Sequence, residues 1–204
     1  VNFLTPEQVK DIWPLCNTDG VIGAIQHPQD GYIQPADLTQ ALAKGARQRG
    51  ATIYRNTTVT AITQLPNGEW CVSTDQGDIV CEHVISCSGN FARQTGAMVG
   101  LDIPVIPVEH QYIVTEPDPA LVEWRKTNPQ HPVLRDADAK WYVREERGGW
   151  ILGPYERNAP ARFLYDVPQS FRADLFPLDL ERIEQEYMSF IHRIPSSETV
   201  GLKD

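Results

Sequence analysis

The sequence predicts a mixed α/β chain of the α+β kind, an α/β unit running into a β-meander and then a separate antiparallel sheet. Three observations carry this. Residues 36–49 set Leu38, Ala41, Leu42, Gly45 and Ala46 at helical spacing, and the apolar ATIYR of 51–55 follows after Gly50 alone. From 57 to 87 the apolar period becomes two, punctuated by Asn67-Gly68 and Gln76-Gly77. From Ile103 a second β-branched series begins, IPVIPVEHQYIVTE, PVLRD, KWYVREE and WILGPYE, each bounded by Pro, Gly or Asp.

The elements follow in order. Residues 5–15 read as a short helix capped by Thr5, with Pro6 in the first turn, Val9, Ile12 and Trp13 on one face, and Pro14 as the stop. A strand is expected near 20–26, and Asp30-Gly31 reads as a turn before the helix of 36–49. That helix has Asp37 in its first turn and Arg47 and Arg49 in its last, and its small-residue face expects a sheet, with 51–55 as the adjoining strand. TVTAITQL, EWCVST and DIVC form the meander, and HVISC closes it as a buried strand that leaves through Ser88 and Gly89, a turn that invites close approach. Residues 117–131 are polar and Pro-punctuated, hence a surface excursion. Residues 157–178 are loop-like, and 179–193 form a last amphipathic helix on Leu180, Ile183, Tyr187, Phe190 and Ile191.

A chain of 204 residues with 41% hydrophobic and 22% charged residues is neither disordered nor collagenous. Eighteen basic against 27 acidic residues give a net charge of −9, which argues against nucleic acid as a partner. No apolar run reaches the roughly 20 residues of a membrane span. Cys16, Cys71, Cys81 and Cys87 are irregularly spaced, which fits reduced thiols in a reducing compartment. The start at Val1 with VNFLTPEQVK reads as an interior piece of a longer protein.

No self-sufficient catalytic motif is present: HExxH, CxxC, GxSxG, GxxxxGK and GxGxxG are all missing. Cys87 has no base paired with it in sequence and reads as a small residue ending a strand. The five histidines are too dispersed for a local metal site, so none is expected. The tryptophans are scattered and read as core or surface cover.

The blocks at 4–51, 57–62 (TTVTAI), 84–100 (VISCSGNFARQTGAMVG), 107–117 (PVEHQYIVTEP) and 132–156 (PVLRDADAKWYVREERGGWILGPYE) resemble, in order, the D-amino-acid oxidase superfamily of FAD-dependent amine oxidoreductases, within it the dimethylglycine and sarcosine dehydrogenase branch. Together they cover nearly the whole chain. The resemblance implies two interrupted domains: 1–27 in the substrate domain or its junction, 28–100 the later part of the FAD domain, 101–195 the substrate domain, and 196–204 a return to the FAD domain. Family members carry GxGxxG and a flavin-linking histidine upstream and a glycine-rich flavin contact downstream, and this chain has neither.

By the same resemblance Val59 falls where a strand backbone meets the adenine, and Ser88 and Gly89 fall beside the nucleotide. Cys87-Ser88-Gly89 departs mildly from the family's Ala-Ala-Gly. Val59 also reads as an ordinary inward valine, and Ser88-Gly89 as a plain turn. His110 in EHQY and Tyr142 in KWYVRE fall where the relatives place a histidine and a tyrosine near the flavin. Hydride transfer from an N-methyl carbon needs the amine lone pair free, which a nearby histidine and a tyrosine hydroxyl promote. Read by themselves, these two residues are a histidine hydrogen-bonded at a strand end and a half-buried sheet aromatic. Arg135 and Arg144 on neighbouring strands fit either a substrate carboxylate or surface pairs with Asp136, Glu145 or Glu146.

The function so implied is oxidative demethylation of a small N-methylated amino acid by hydride transfer to FAD, with an electron-transfer flavoprotein or oxygen as acceptor. The implied compartment is the cytoplasm of a bacterium or the mitochondrial matrix of a eukaryote. These residues alone are expected to be inactive. Two alternatives stand beside it: a non-catalytic regulatory paralogue of the same branch, and a complete small binding module. The second is weakened by a helix at 36–49 that has only one nearby strand to lie on.

Overall fold

The computed structural model describes residues 1–172 and 174–203. The chain divides into two compact units, one made of Val1–Tyr32, Glu109–Pro160 and Leu175–Asp204, the other of Ile33–Val108 and Ala161–Asp174. The first unit opens with β1 (Asn2–Leu4), α1 (Pro6–Ile12) and β2 (Ala24–Gln26), and β1 pairs antiparallel with β2. Thr5 caps α1 in a reciprocal capping box with Gln8, satisfying two donors that the helix start leaves open. Trp13 ends that helix in the core and donates its indole N–H to the Pro132 carbonyl at 3.0 Å.

The second unit contains α2 (Pro35–Gln48), the meander β3 (Val59–Gln64), β4 (Trp70–Thr74) and β5 (Gly77–Cys81), and α3 (Ala92–Ala97). Gly68 and Gly77 take left-handed φ values of 91° and 126° at the two meander turns, conformations open to glycine. Two expected strands do not form. Residues 51–54 and 83–88 join no ladder; Tyr54 is 67% and Ile85 85% exposed, and Cys87 is exposed rather than closing a buried strand. Among the described residues β3, β4 and β5 pair only with one another, and neither 51–54 nor 83–88 adds to an outer edge of that sheet, so strand propensity goes unused there. The helix α2 correspondingly buries none of its residues.

The chain then returns to the first unit with β6 (Ile113–Val114), α4 (Pro119–Trp124), β7 (Leu134–Asp136), β8 (Trp141–Glu146), β9 (Gly149–Pro154) and α5 (Glu184–Arg193). The strands form an antiparallel sheet in the order β6-β9-β8-β7. Val143 and Leu152 face each other across β8 and β9, and both are fully buried. Trp141 packs edge-on against Phe190 of α5, and the Trp150 indole donates to Asp118 at 2.8 Å. The segment 117–131 is therefore more than a surface excursion: Asp118 caps α4 from a buried position, and Leu121 belongs to the core. The sequence missed this because one inward leucine in six helical residues sets no period.

Candidate active site on the open sheet face

Alternation along WYVREE turns Trp141, Val143 and Glu145 to the core and leaves Tyr142, Arg144 and Glu146 on the other, half-open face. The Tyr142 ring lies over Gly153, its cross-strand partner, where an added Cβ would collide with the ring atoms Cε1 and Cζ. On the opposite flank Arg135 of β7 pairs in register with Tyr142 and holds its guanidinium 5.9 Å from the ring centroid. Tyr155, just past β9, sits 5.9 Å from Tyr142 on one side and 5.9 Å from His110 on the other. His110 and Tyr142 are thus brought into one row, His110–Tyr155–Tyr142–Arg135.

The two arginines part company. Arg144 is held by Glu146 at 2.6 Å and lies over the Tyr32 ring, whereas Arg135 has no carboxylate partner among the described residues.

His110 is anchored from beneath. Its Nδ1 lies 3.2 Å from Oε2 of the buried Glu156, whose Oε1 accepts from Arg182 Nε at 3.1 Å. Arg182 also donates to Glu109 at 2.8 Å, and Gln111 exchanges two hydrogen bonds with the Asp179 backbone, tying the segment that carries Arg182 to the one that carries His110. Burial alone would lower the Arg182 guanidinium, but its bonds to Glu109 and Glu156 outweigh that and push it up.

The three residues singled out for the nucleotide lie in the second unit. Val59 opens β3, half-buried, beside a bulge between Val59 and Ala61. Ser88 and Gly89 begin a turn whose Gly89 has φ +54° and open space where a Cβ would be. Such a turn, outside any ladder and lined by small residues, fits the close approach of a nucleotide. The half-open row of His110, Tyr155 and Tyr142 likewise fits a flat ring laid over the sheet.

Elsewhere in the first unit a cleft of about 490 Å³ opens between Tyr32, Arg125, Gln130 and Arg147. Its cations are engaged, Arg125 with Glu145, Lys126 with Glu123 and Arg147 with Glu146, so it presents no uncommitted charge. On the core side His131 Nδ1 meets Glu145 at 2.6 Å between Trp13 and Trp124, and its Nε2 has no hydrogen-bond partner among the described residues. Burial pushes the imidazole below its ordinary value, outweighing Glu145. The bare Nε2 agrees with a neutral ring, because a second buried N–H would go unsatisfied.

Sequence reasoning did not reach Tyr155, Glu156, Arg182 or Gly153. The one signal in its range was the cross-strand glycine, which becomes readable once the register of WYVREE against WILGP is known.

A family profile described as "DAO: FAD dependent oxidoreductase" matches residues 1–201. The chain is 36% identical over 198 residues to the mitochondrial dimethylglycine dehydrogenase of Rattus norvegicus, covering 95% of this chain and 23% of that protein. It is 32% identical over 207 residues to the mitochondrial sarcosine dehydrogenase of Mus musculus, covering 99% of this chain and 22% of that one. Among solved structures, L-proline dehydrogenase from P. horikoshii superposes with a TM-score of 0.77 at 26% identity, over all of this chain and 50% of that one. The chain therefore spans under a quarter of the length of these curated relatives and half of the solved one. Matched by that profile over nearly its whole length, the chain belongs to the DAO family of FAD-dependent oxidoreductases.

Proposed function

We propose that the protein carrying this chain oxidatively demethylates a small N-methylated amino acid of the dimethylglycine or sarcosine type. The observation that carries the reading is the row His110–Tyr155–Tyr142–Arg135, whose last two members stand in register on the open face of the sheet. FAD, when bound, supplies the acceptor for a hydride leaving the N-methyl carbon. The residues supply the rest. Arg135, uncommitted to any carboxylate among the described residues, takes the substrate carboxylate by charge-assisted hydrogen bonds. Tyr142, braced over Gly153, orients the amine through its hydroxyl. His110 accepts the ammonium proton, so the nitrogen lone pair is free to assist as the C–H bond breaks. Tyr155 fills the space between them and excludes water. The oxidised methyl group then leaves as formaldehyde on hydrolysis.

Val59, Ser88 and Gly89 are the candidates for the nucleotide in the second unit. The 204 residues contain no GxGxxG turn, and by themselves they are expected to be inactive. In a eukaryote the compartment would be the mitochondrial matrix; no helix among the described residues is long and apolar enough to cross a membrane.

The test is the visible spectrum of the full-length, FAD-loaded protein on anaerobic addition of dimethylglycine or sarcosine. Bleaching of the flavin band is expected, and reoxidation by air or by electron-transfer flavoprotein then identifies the acceptor. A flavin band that neither substrate bleaches overturns the reading in favour of the regulatory paralogue. Arg135→Gln should raise the substrate concentration for half-maximal reduction about tenfold or more, the usual loss of a charged hydrogen bond, with a smaller change in limiting rate.

A further inference from the structure

We propose that Glu156, clamped by Arg182, is a positioning residue that sets the tautomer of His110, placing its proton on Nδ1 and leaving Nε2 as the bare, basic nitrogen. The proposal rests on the reading of His110 as the proton acceptor. It follows from what each atom in the chain of contacts can do. Arg182 Nε–H donates only, so Glu156 Oε1 must accept from it at 3.1 Å. An ionised carboxylate accepts only, so across the 3.2 Å contact of Oε2 with His110 the ring Nδ1 must donate. A neutral imidazole with its hydrogen on Nδ1 has its lone pair on Nε2.

The surroundings hold this arrangement in place. The Glu156 side chain is 2% exposed and that of Arg182 15%, while His110 keeps 44% of its side chain open. Among the described residues Arg182 pairs with Glu109, Glu156 and Asp179, three acidic groups that hold the guanidinium in place. One end of the pair is thus fixed in a buried acidic cage, and the ring is presented at the open face.

Glu156→Gln separates this role from mere packing, because it keeps the shape and changes only the hydrogen-bond logic. The amide NH2 cannot face Arg182 Nε–H, donor against donor. The amide oxygen therefore stays with Arg182, and the NH2 turns to His110 Nδ1, which must now accept. The ring proton moves to Nε2, and the base is lost without any change in the histidine itself.

The tautomer is read by 15N solid-state NMR of the full-length, FAD-loaded protein labelled at histidine, with the His110 signals assigned by their loss in His110→Gln. At pH 9 the wild type should show a protonated Nδ1 and a bare Nε2. Glu156→Gln should show the reverse, with flavin reduction by dimethylglycine slowed about 10²- to 10⁴-fold, the range for loss of a positioned base or of its tautomer. A wild-type ring protonated on Nε2 overturns the proposal, and this measurement needs no variant to fold. An unchanged tautomer in Glu156→Gln overturns it as well. A tautomer that reverses while reduction proceeds at the wild-type rate supports the positioning and refutes instead the role of His110 in proton transfer.

Discussion

In β8 and β9 the apolar residues meet partners in register, and Val143 and Leu152 have no exposed surface. At 51–54 and 83–88 of the second unit, residues of the same chemical type stand open, with Ile85 at 85% exposure. Propensity is alike in the two places, and pairing is not. Strand-forming sequence becomes strand only where a neighbouring ladder exists, and a helix with a small-residue face, such as α2, becomes core only where a sheet receives it. The sheet that positions His110 and Tyr142 is complete in this sense, and the region around Ser88 and Gly89 is not.

Four substitutions break or sharpen this contrast. Leu152→Ala should have the largest effect, lowering the stability of the first unit by about 2–5 kcal/mol through lost burial and a residual cavity. It is read as the urea midpoint of tryptophan fluorescence, which reports mainly on this unit because Trp70 is the one tryptophan outside it. Gly153→Ala should leave the fold largely intact while pushing the Tyr142 ring off its seat, and flavin reduction in the full-length protein should fall by up to about 10²-fold. Retention of the wild-type rate would show that Tyr142 needs no exact placement.

The third test is the pH dependence of the first unit. Burial holds the His131 imidazole below its unfolded value, so the unfolded chain binds that proton more readily and the folded unit loses stability as the pH falls below about 6.5. Above that pH the group makes no such difference. His131→Gln should flatten the thermal midpoint between roughly pH 5 and 7, the range over which an imidazole titrates; an unchanged slope would assign the acid response to other groups. The smallest effect should come from Ile85→Ala, which in this chain should change the unfolding free energy by no more than about 0.5 kcal/mol in a urea titration, as for an exposed site.

Much of the fold was legible because its signals are local. The Thr5 cap, the spacing of α2, the two glycine turns of the meander and the alternation of WYVREE each specify an element within a few residues. Residues 51–55 and 84–87 misled because strand propensity carries no information about whether a partner strand is present. The site divides the same way. His110 and Tyr142 were reachable through the family resemblance, and Arg135 through its strand. The apparatus beneath His110 was not, since Glu156 lies 46 residues beyond it and Arg182 another 26, on elements whose meeting is set by the tertiary fold.

The central claim is that the open face of the first unit assembles an amine-oxidising site around His110. The most direct measurement is anaerobic stopped-flow reduction of bound FAD by dimethylglycine in full-length wild type and His110→Gln, with FAD content checked in both. The account predicts that the variant retains its flavin and is reduced about 10²- to 10⁴-fold more slowly, the loss of a positioned proton acceptor. Reduction of the variant at the wild-type rate would contradict it.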